Sequence, residues 1–410
     1  MVSLHQSSKL ANVLYEIRGA ADRRARELEH HGADILKLNI GNPQPFGFKP
    51  PEELVYRVSE SLKYFNGYTE SKGIVQAREA VVRRYQGLYN LDSFHPDRVY
   101  LGNGVSELIA VSLQALVNDG DEILIPSPDY PLWTAVVSLC GGRPVHYRCR
   151  EDHDWLPDIA DIREQITPRT KAIVVINPNN PTGAVYPEDY LANIVDIAEQ
   201  YGLLLLSDEI YDNIIYDDYK HVPLAKVARE VPCITFAGLS KSLCLAGYRS
   251  GWMALSGDFS DSNDYLNGLD LLSSTRLCPN ILGQLAVYEG LSDRFQCRDE
   301  GSDLSISARN GRLKAQRNLT TRMLNDIPGV TVNEPRGALY AFPRIDVLSN
   351  CSKTDEQFVL DFLESSHVLL VHGSGFSFGA NDHVRLVMLP DQTQLSAALT
   401  RLGDFISDFE

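Results

Sequence analysis

The sequence predicts an α/β protein in which a mostly parallel sheet lies between helices, followed by a smaller α+β unit. Two observations carry this reading. The runs Ala172-Ile-Val-Val-Ile-Asn and Leu203-Leu-Leu-Leu-Ser-Asp are continuously apolar and each ends in polar residues, as strands buried on both faces of a parallel sheet do. Strand-like and helical segments also alternate ahead of them. Val99-Tyr-Leu-Gly and Glu122-Ile-Leu-Ile-Pro read as strands, Ser106 to Val117 and Pro131 to Leu139 as helices. In open α/β sheets ligands bind beyond the carboxyl ends of the strands, so Asn177, Asn180 and Asp208 are candidate site residues on the sheet pattern alone.

The flanking elements follow in chain order. Val13, Leu14, Ile17, Ala20, Ala21, Ala25 and Leu28 recur at roughly helical spacing between Asn12 and His31, with a break expected near Gly19 and a stop at Gly32. Ile35 to Ile40 reads as a short strand entering the turn Gly41-Asn-Pro-Gln-Pro. Glu52 to Tyr89 reads as helices broken at Asn66-Gly67 and at Gly73. Beyond the sheet, the polar stretch Cys297 to Asn310 marks a changeover into a second unit. A helix around Gly311 to Asn325, the alternating Val330-Thr-Val-Asn, the run Gly337 to Phe342, a helix near Glu356 to Ser365 and the strand-like Val368-Leu-Leu-Val follow it. No internal repeat interrupts this order.

Composition narrows the function classes. Of 410 residues, 44% are hydrophobic and 22% charged, the balance of a globular chain with a sizeable core. The net charge of −16 at pH 7 argues against a nucleic-acid or anionic-membrane partner, and an anionic substrate would need a local cationic pocket. No apolar run of about 18 residues offers a membrane span. The start, Met1-Val-Ser-Leu-His-Gln, lacks the basic and apolar segments of a secretion signal, and a cytoplasmic location is expected. Seven cysteines, an odd number without a CxxC pair, fit reduced thiols better than a disulfide frame or zinc site. Glu151-Asp-His-Asp154 reads as a solvated loop and no metal is expected. Neither HExxH, GxSxG nor a P-loop is present.

The segment Gly238 to Trp252 is the most informative. Lys241 stands among Leu239, Leu243, Leu245 and Ala246. A lysine partly withdrawn from water loses solvation of its charged form, and the neutral amine adds to carbonyls. Pyridoxal phosphate uses such a lysine; the plainer reading is a surface turn. Asp208 is suited to face a protonated pyridine ring or to cap a following helix, and Tyr211, three residues on, to bond a ring phenolic oxygen. Asn177-Pro-Asn-Asn-Pro-Thr-Gly183 specifies a rigid turn, in which Asn180 either offers its amide to that oxygen or is structural. Asn103-Gly-Val-Ser-Glu-Leu108 joins a strand to a helix N-terminus that suits a phosphate, although Gly102-Asn-Gly104 lacks the third glycine of a dinucleotide loop. Tyr130 is a stacking partner for a flat ring or a packed aromatic, and Arg249 a phosphate ligand or half of a surface ion pair. Arg385, on a predicted strand, either forks onto a substrate carboxylate or makes an internal ion pair.

In order and spacing, from about Leu38 to Leu386, these motifs resemble the class I/II aminotransferases, pyridoxal-phosphate enzymes of fold type I. The resemblance implies a large domain with a mostly parallel seven-stranded sheet between helices, plus a smaller α+β domain. The division it implies is 1–50 as N-terminal arm and part of the small domain, 51–296 as the large cofactor-binding domain and 297–410 as the C-terminal small domain. It implies pyridoxal 5′-phosphate as cofactor, Lys241 as its Schiff-base lysine and proton shuttle, Asp208 against the pyridine nitrogen, Asn180 and Tyr211 on the phenolic oxygen, and Tyr130 stacked on the ring. Gly104, Val105, Ser106, Ser240 and Arg249 would hold the phosphate. Tyr68, in Gly67-Tyr-Thr-Glu-Ser-Lys-Gly73, would reach the neighbouring subunit's phosphate, which implies a homodimer with shared active sites. Arg385 and the backbone of Gly41, with Asn180 beside them, would hold the substrate carboxylate.

Within the class, Ser8 to Gly19, Leu38-Asn-Ile-Gly-Asn-Pro, Gly102-Asn-Gly-Val-Ser-Glu, Pro128-Asp-Tyr-Pro-Leu-Trp-Thr-Ala and Arg336-Gly-Ala-Leu-Tyr are similar to the bacterial glutamate–pyruvate (alanine) branch. That likeness implies amino transfer between L-alanine and 2-oxoglutarate to give pyruvate and L-glutamate. Tyr15 and Arg18, near the expected helix break at Gly19, would close over a small substrate. The same cofactor site would also serve another amino-acid substrate in a specialised biosynthetic pathway. A non-enzymatic pyridoxal-binding regulator is disfavoured by the intact Lys241, Asp208 and Arg385.

Overall fold

The architecture comes from a computed structural model that describes residues 4–7, 9–10, 13, 19–296, 306, 311–349 and 352–409. In chain order the first strands are β1 (Leu36–Lys37), β2 (Val99–Asn103), β3 (Glu122–Ser127), β4 (Arg143–Arg150), β5 (Leu156–Pro157), β6 (Thr170–Ile176), β7 (Leu204–Asp208), β8 (Cys233–Gly238) and β9 (Ser250–Ser256). All but β1 join one sheet in the order β2-β9-β8-β7-β6-β3-β4-β5. Six of its strands run in one direction, while β9 and β5 run against their neighbours. The expected seven strands form its body, and the eighth is the two-residue edge strand β5, too short to carry a sequence pattern.

Alternate residues of these strands enter opposite cores, which is why the runs are apolar without interruption. Ile123, Ile125, Val174, Leu206, Phe236 and Met253 pack in one core with helices Val105–Leu116, Leu132–Leu139 and Asn263–Thr275. Leu124, Ile173, Val175, Leu205 and Trp252 pack in the other with helices Val75–Tyr89, Glu188–Tyr201 and Ile281–Gly290.

The C-terminal part holds β10 (Val330–Thr331), β11 (Tyr340–Ala341), β12 (Arg344–Ile345), β13 (Val368–Leu369), β14 (Val371–His372) and β15 (Val384–Val387). They form the sheets β11-β15-β14 and β10-β12, with helices Arg312–Asp326, Asp355–Ser366 and Gln392–Ser407 around a third core. The N-terminal β1 pairs in parallel with β13, so the segment ahead of the large sheet is built into the C-terminal part. The expected strand at Ile35 to Ile40 contracts to this pair of residues, and the N-terminal helix runs over Ala20–His30 with Gly19 at its cap. The changeover at Cys297 to Asn310 lies outside the described residues except for Ile306. Among the described residues no helix is long and apolar enough to cross a membrane.

Candidate active site

One edge of the large sheet collects the candidate residues. The carboxyl ends of β2, β3, β6, β7 and β8 lead into Gly104–Ser106, Tyr130, Asn180, Asp208 and Ser240–Lys241, and the antiparallel β9 starts there, immediately after Arg249. This is the edge at which parallel α/β sheets leave a crevice. A cavity of about 530 Å³ opens on it, lined by Gly41, Val105, Ser106, Tyr130, Asn180, Asp208, Tyr211, Ser240, Lys241, Arg249 and Arg385.

One end of the cavity is suited to an anion. The 12-residue helix Val105–Leu116 points its N-terminus there, where backbone N–H groups lack helical partners and the dipole is positive. Its cap, Gly104, has φ 83°, and a side chain at this position would run into the Arg249 guanidinium. Glu107 anchors the loop by accepting from the Asn103 backbone N–H at 2.7 Å and its side-chain amide at 2.9 Å. Arg249 is exposed and donates to the Ala246 carbonyl at 3.1 Å. Ser240, on the turn after β8, and Ser106 complete this end.

Asp208 is buried on the cavity floor. Trp133 Nε1 donates to its carboxylate at 3.1 Å and the Ile210 backbone N–H at 3.3 Å. Burial outweighs these two bonds and, with Glu209 adjacent, pushes its pKa up to about 6. None of the groups setting that value is a cation. The helix-cap alternative does not hold, because the next helix begins only at Leu224. Tyr130 stands half-buried above the cavity, and its neighbour Asp129 is tied by its backbone N–H to the Phe376 carbonyl at 2.9 Å.

The opposite end holds the other cation. Arg385 is buried on β15 and donates to Asn180 Oδ1 at 3.0 Å and to the Asn39 carbonyl. Its guanidinium also lies over the rings of Tyr340 and Phe376, 4.3 and 4.6 Å from their centroids. Lys241 Nζ donates to the Gly41 carbonyl at 2.5 Å. Residues from 39–41, 180, 241 and 385 thus meet at one place. The Tyr211 phenol, buried and 2.8 Å from the Tyr340 hydroxyl, is held well above its ordinary pKa, chiefly by burial and then by Tyr340.

Of the other expected participants, Tyr68 is exposed and does not line this cavity, and Tyr15 and Arg18 fall outside the described residues. Among the described residues no cluster of metal-ligating side chains occurs, and the three carboxylates of Glu151 to Asp154 pair with arginines, Glu151 with Arg344, Asp152 with Arg150 and Asp154 with Arg336. The five described cysteines are free. Sequence reasoning gave no role to Trp133 or Tyr340, although both sit in quoted motifs. An aromatic next to a buried carboxylate or a second tyrosine was the only signal, and it emerges once the strands are assembled.

A parallel-sheet edge with a lysine, a buried carboxylate and cations at both ends is the cavity of a cofactor-assisted enzyme that handles anionic groups. Residues 33–402 match the family model of aminotransferase class I and II, and the chain belongs to this family. It is 51% identical over 404 residues to the alanine aminotransferase of Mycobacterium tuberculosis (strain ATCC 25618 / H37Rv), covering 98% of this chain and 93% of that protein. It is 48% identical over 412 residues to the glutamate-pyruvate aminotransferase AlaA of Escherichia coli (strain K12), covering 100% and 99%. Among solved structures, an aminotransferase from Escherichia coli superposes with a TM-score of 0.93 at 47% identity, with 99% of each chain covered. An alanine aminotransferase from Pyrococcus furiosus gives 0.91 at 39% identity, with 98% of this chain and 100% of that one covered.

Enzymes of this class depend on pyridoxal 5′-phosphate and exchange amino groups between amino acids and 2-oxo acids. The residues present fit the group. The buried Asp208 carboxylate has no cation among the influences on its ionisation, and the glycine cap at 104 leaves a side-chain-free approach to a helix N-terminus beside Arg249.

Proposed function

We propose that the protein transfers the amino group of L-alanine to 2-oxoglutarate, giving pyruvate and L-glutamate. The relatives named alanine and glutamate-pyruvate aminotransferase support the substrates. The observation that carries the reading is the convergence of Lys241, Asp208 and Arg385 on one cavity. Bound pyridoxal phosphate supplies a protonated, electron-withdrawing ring that accepts the negative charge developing at the substrate Cα. Lys241 would hold the cofactor covalently and would carry the proton from the substrate Cα. Asp208 holds the ring nitrogen protonated, since a buried carboxylate is stabilised by an adjacent cation. Asn180 and Tyr211 hold the phenolic oxygen, and Tyr130 covers the ring. Gly104, Val105, Ser106, Ser240 and Arg249 hold the phosphate. Arg385 takes the substrate carboxylate in a two-pronged hydrogen bond, with Asn180 fixing its guanidinium and the Gly41 backbone alongside.

The division into an arm of 1–50, a large domain of 51–296 and a small domain of 297–410 belongs to this proposal. The β1–β13 pairing, which joins the first segment to the last, supports it. A homodimer in which Tyr68, exposed in the single chain, reaches the partner's phosphate is also part of the proposal. The cytoplasm, where free thiols persist, is the proposed location. Borohydride reduction of the cofactor-saturated protein, followed by peptide mapping, tests the centre of the reading: label at Lys241 is expected. Bleaching of the visible band by L-alanine, reversed by 2-oxoglutarate, tests the substrates. Label elsewhere, or a band indifferent to alanine, would overturn the corresponding half.

A further inference from the structure

Tyr340 has no part in the reaction as assigned above, yet it touches two residues that do. Its hydroxyl lies 2.8 Å from that of Tyr211, with the two rings at 84° and their centroids 5.8 Å apart. Both side chains are buried. The Arg385 guanidinium lies on its ring face. The backbone fixes this meeting: the Ala338 N–H donates to the Ile214 carbonyl at 3.0 Å and the Tyr216 N–H to the Arg336 carbonyl at 2.9 Å. The loop after β7 and the entry to β11 are therefore laced together immediately beside the tyrosine pair. A side chain at Gly41 would collide with the Tyr340 hydroxyl, so the turn that accepts from Lys241 is shaped around it.

A phenol has one proton to donate. If Tyr211 gives its proton to the cofactor's phenolic oxygen, the hydrogen bond between the tyrosines can only run from Tyr340 to Tyr211. We propose that Tyr340 is a positioning residue for the reaction, which donates to the Tyr211 hydroxyl and thereby strengthens the hydrogen bond Tyr211 gives to the cofactor. The inference rests on the role given to Tyr211 above. Donors in a chain polarise one another by about 10–30% per bond, and the Arg385 charge on the Tyr340 ring face favours donation by its hydroxyl. Arg385 also acts on Tyr211 in the same sense, against the burial that holds its proton on. The residue that takes the substrate carboxylate is thus linked through two phenols to the atom that sets the cofactor's electronics.

A spectrophotometric pH titration of the holoenzyme's visible band reads this directly. A hydrogen bond to the phenolic oxygen loosens that oxygen's hold on the neighbouring protonated nitrogen, so weakening the bond raises the pH at which the chromophore loses its proton. Tyr340→Phe keeps the ring under Arg385 and removes only the donor, and an upward midpoint shift of about 0.2–0.5 pH unit is expected. Tyr211→Phe shifts the midpoint further, and the double variant Tyr211→Phe/Tyr340→Phe shifts it no more than Tyr211→Phe alone. Tyr340→3-fluorotyrosine, which leaves size and hydroxyl in place but strengthens the donor, moves the midpoint down, a direction that loosened packing would not produce. This variant also decides the matter if Tyr340→Phe does not fold. An unmoved midpoint in either Tyr340 variant, or additive shifts in the double variant, overturns the inference and leaves the role of Tyr211 intact. A silent Tyr211→Phe overturns the role of Tyr211 and the inference with it.

Discussion

Asp208→Asn separates the stability of the cofactor-free chain from its affinity for the cofactor. In the free chain burial lifts the Asp208 pKa to about 6 from an ordinary 3.8, a difference worth about 3 kcal/mol. The folded carboxyl is the stronger base, so folding takes up a proton. Its contribution is fully present below pH 3.8 and is lost as the pH rises through about 6. Roughly 2 kcal/mol of that loss falls between pH 4.5 and 7.5. Asparagine has no such titration. Its amide also turns a donor toward one of the two N–H groups that Asp208 accepts from, at a cost of about 1–3 kcal/mol that does not vary with pH. The stability of the wild-type apoprotein relative to Asp208→Asn is therefore expected to fall by about 2 kcal/mol over this range, as read by urea unfolding at a series of pH values. With cofactor the order inverts, because the ring cation meets the carboxylate: the variant binds it more weakly and its half-reaction slows by roughly 10²-fold or more. A stability difference that stays flat between pH 4.5 and 7.5 would refute the claim that burial outweighs the two hydrogen bonds this carboxylate accepts.

Arg385→Lys keeps a charge but loses the fork, and KM for L-alanine and for 2-oxoglutarate should both rise roughly 10–100-fold in steady-state assays, since both present a carboxylate to the same guanidinium. Gly104→Ala places a β-carbon at φ 83° against Arg249; cofactor titration of the apoprotein should show affinity weakened about tenfold or more, from a strain of about 1–2 kcal/mol and the displaced arginine. Arg84 and Asp212 form a buried ion pair at 2.5 Å, between helix Val75–Tyr89 and the loop that follows Tyr211. Arg84→Met should destabilise by about 3–5 kcal/mol in urea unfolding, and adding Asp212→Leu should recover most of it, because the loss comes from the charge left alone.

What the sequence made legible follows from how local each signal is. Asp208 and Asn180 could be read because a strand buried on both faces announces itself as an apolar run, and whatever polar residue ends it lies at the sheet edge. Lys241 and Arg249 were found by another route, as cations in the weakly polar segment Gly238 to Trp252, while β8 and β9 on either side of them went unread. Strand β5 carries no pattern, since period-2 alternation needs about four residues to be seen, and the two-residue β1 was visible only within the longer stretch Ile35 to Ile40. Tyr340 and Trp133 sit in segments whose composition fits a core aromatic equally well, and their polar tips acquire meaning only when Tyr211 and Asp208 come within hydrogen-bond reach. The division of labour at Arg385 is the least local feature. Its partners Asn39 and Asn180 are 346 and 205 residues away in the chain, a meeting that no periodicity encodes.

Net charge and local charge point in opposite directions, and distance decides between them. The chain carries −16 overall, yet Lys241, Arg249 and Arg385 line the cavity against a single carboxylate, Asp208. Exposed charges more than about 8 Å away are largely screened at physiological ionic strength. A guanidinium in contact with a carboxylate is not, and its attraction grows as water is excluded. The cations also stand apart, Arg249 by the helix N-terminus and Arg385 beyond Asn180, so an anion at one end does not neutralise the other. Such a cavity has room for a phosphate at one end and a carboxylate at the other, as the proposed reaction requires, whereas an extended polyanion such as nucleic acid would meet the net negative charge of the chain. The acidic composition and the anionic ligands are thus compatible because recognition is confined to one edge of one sheet.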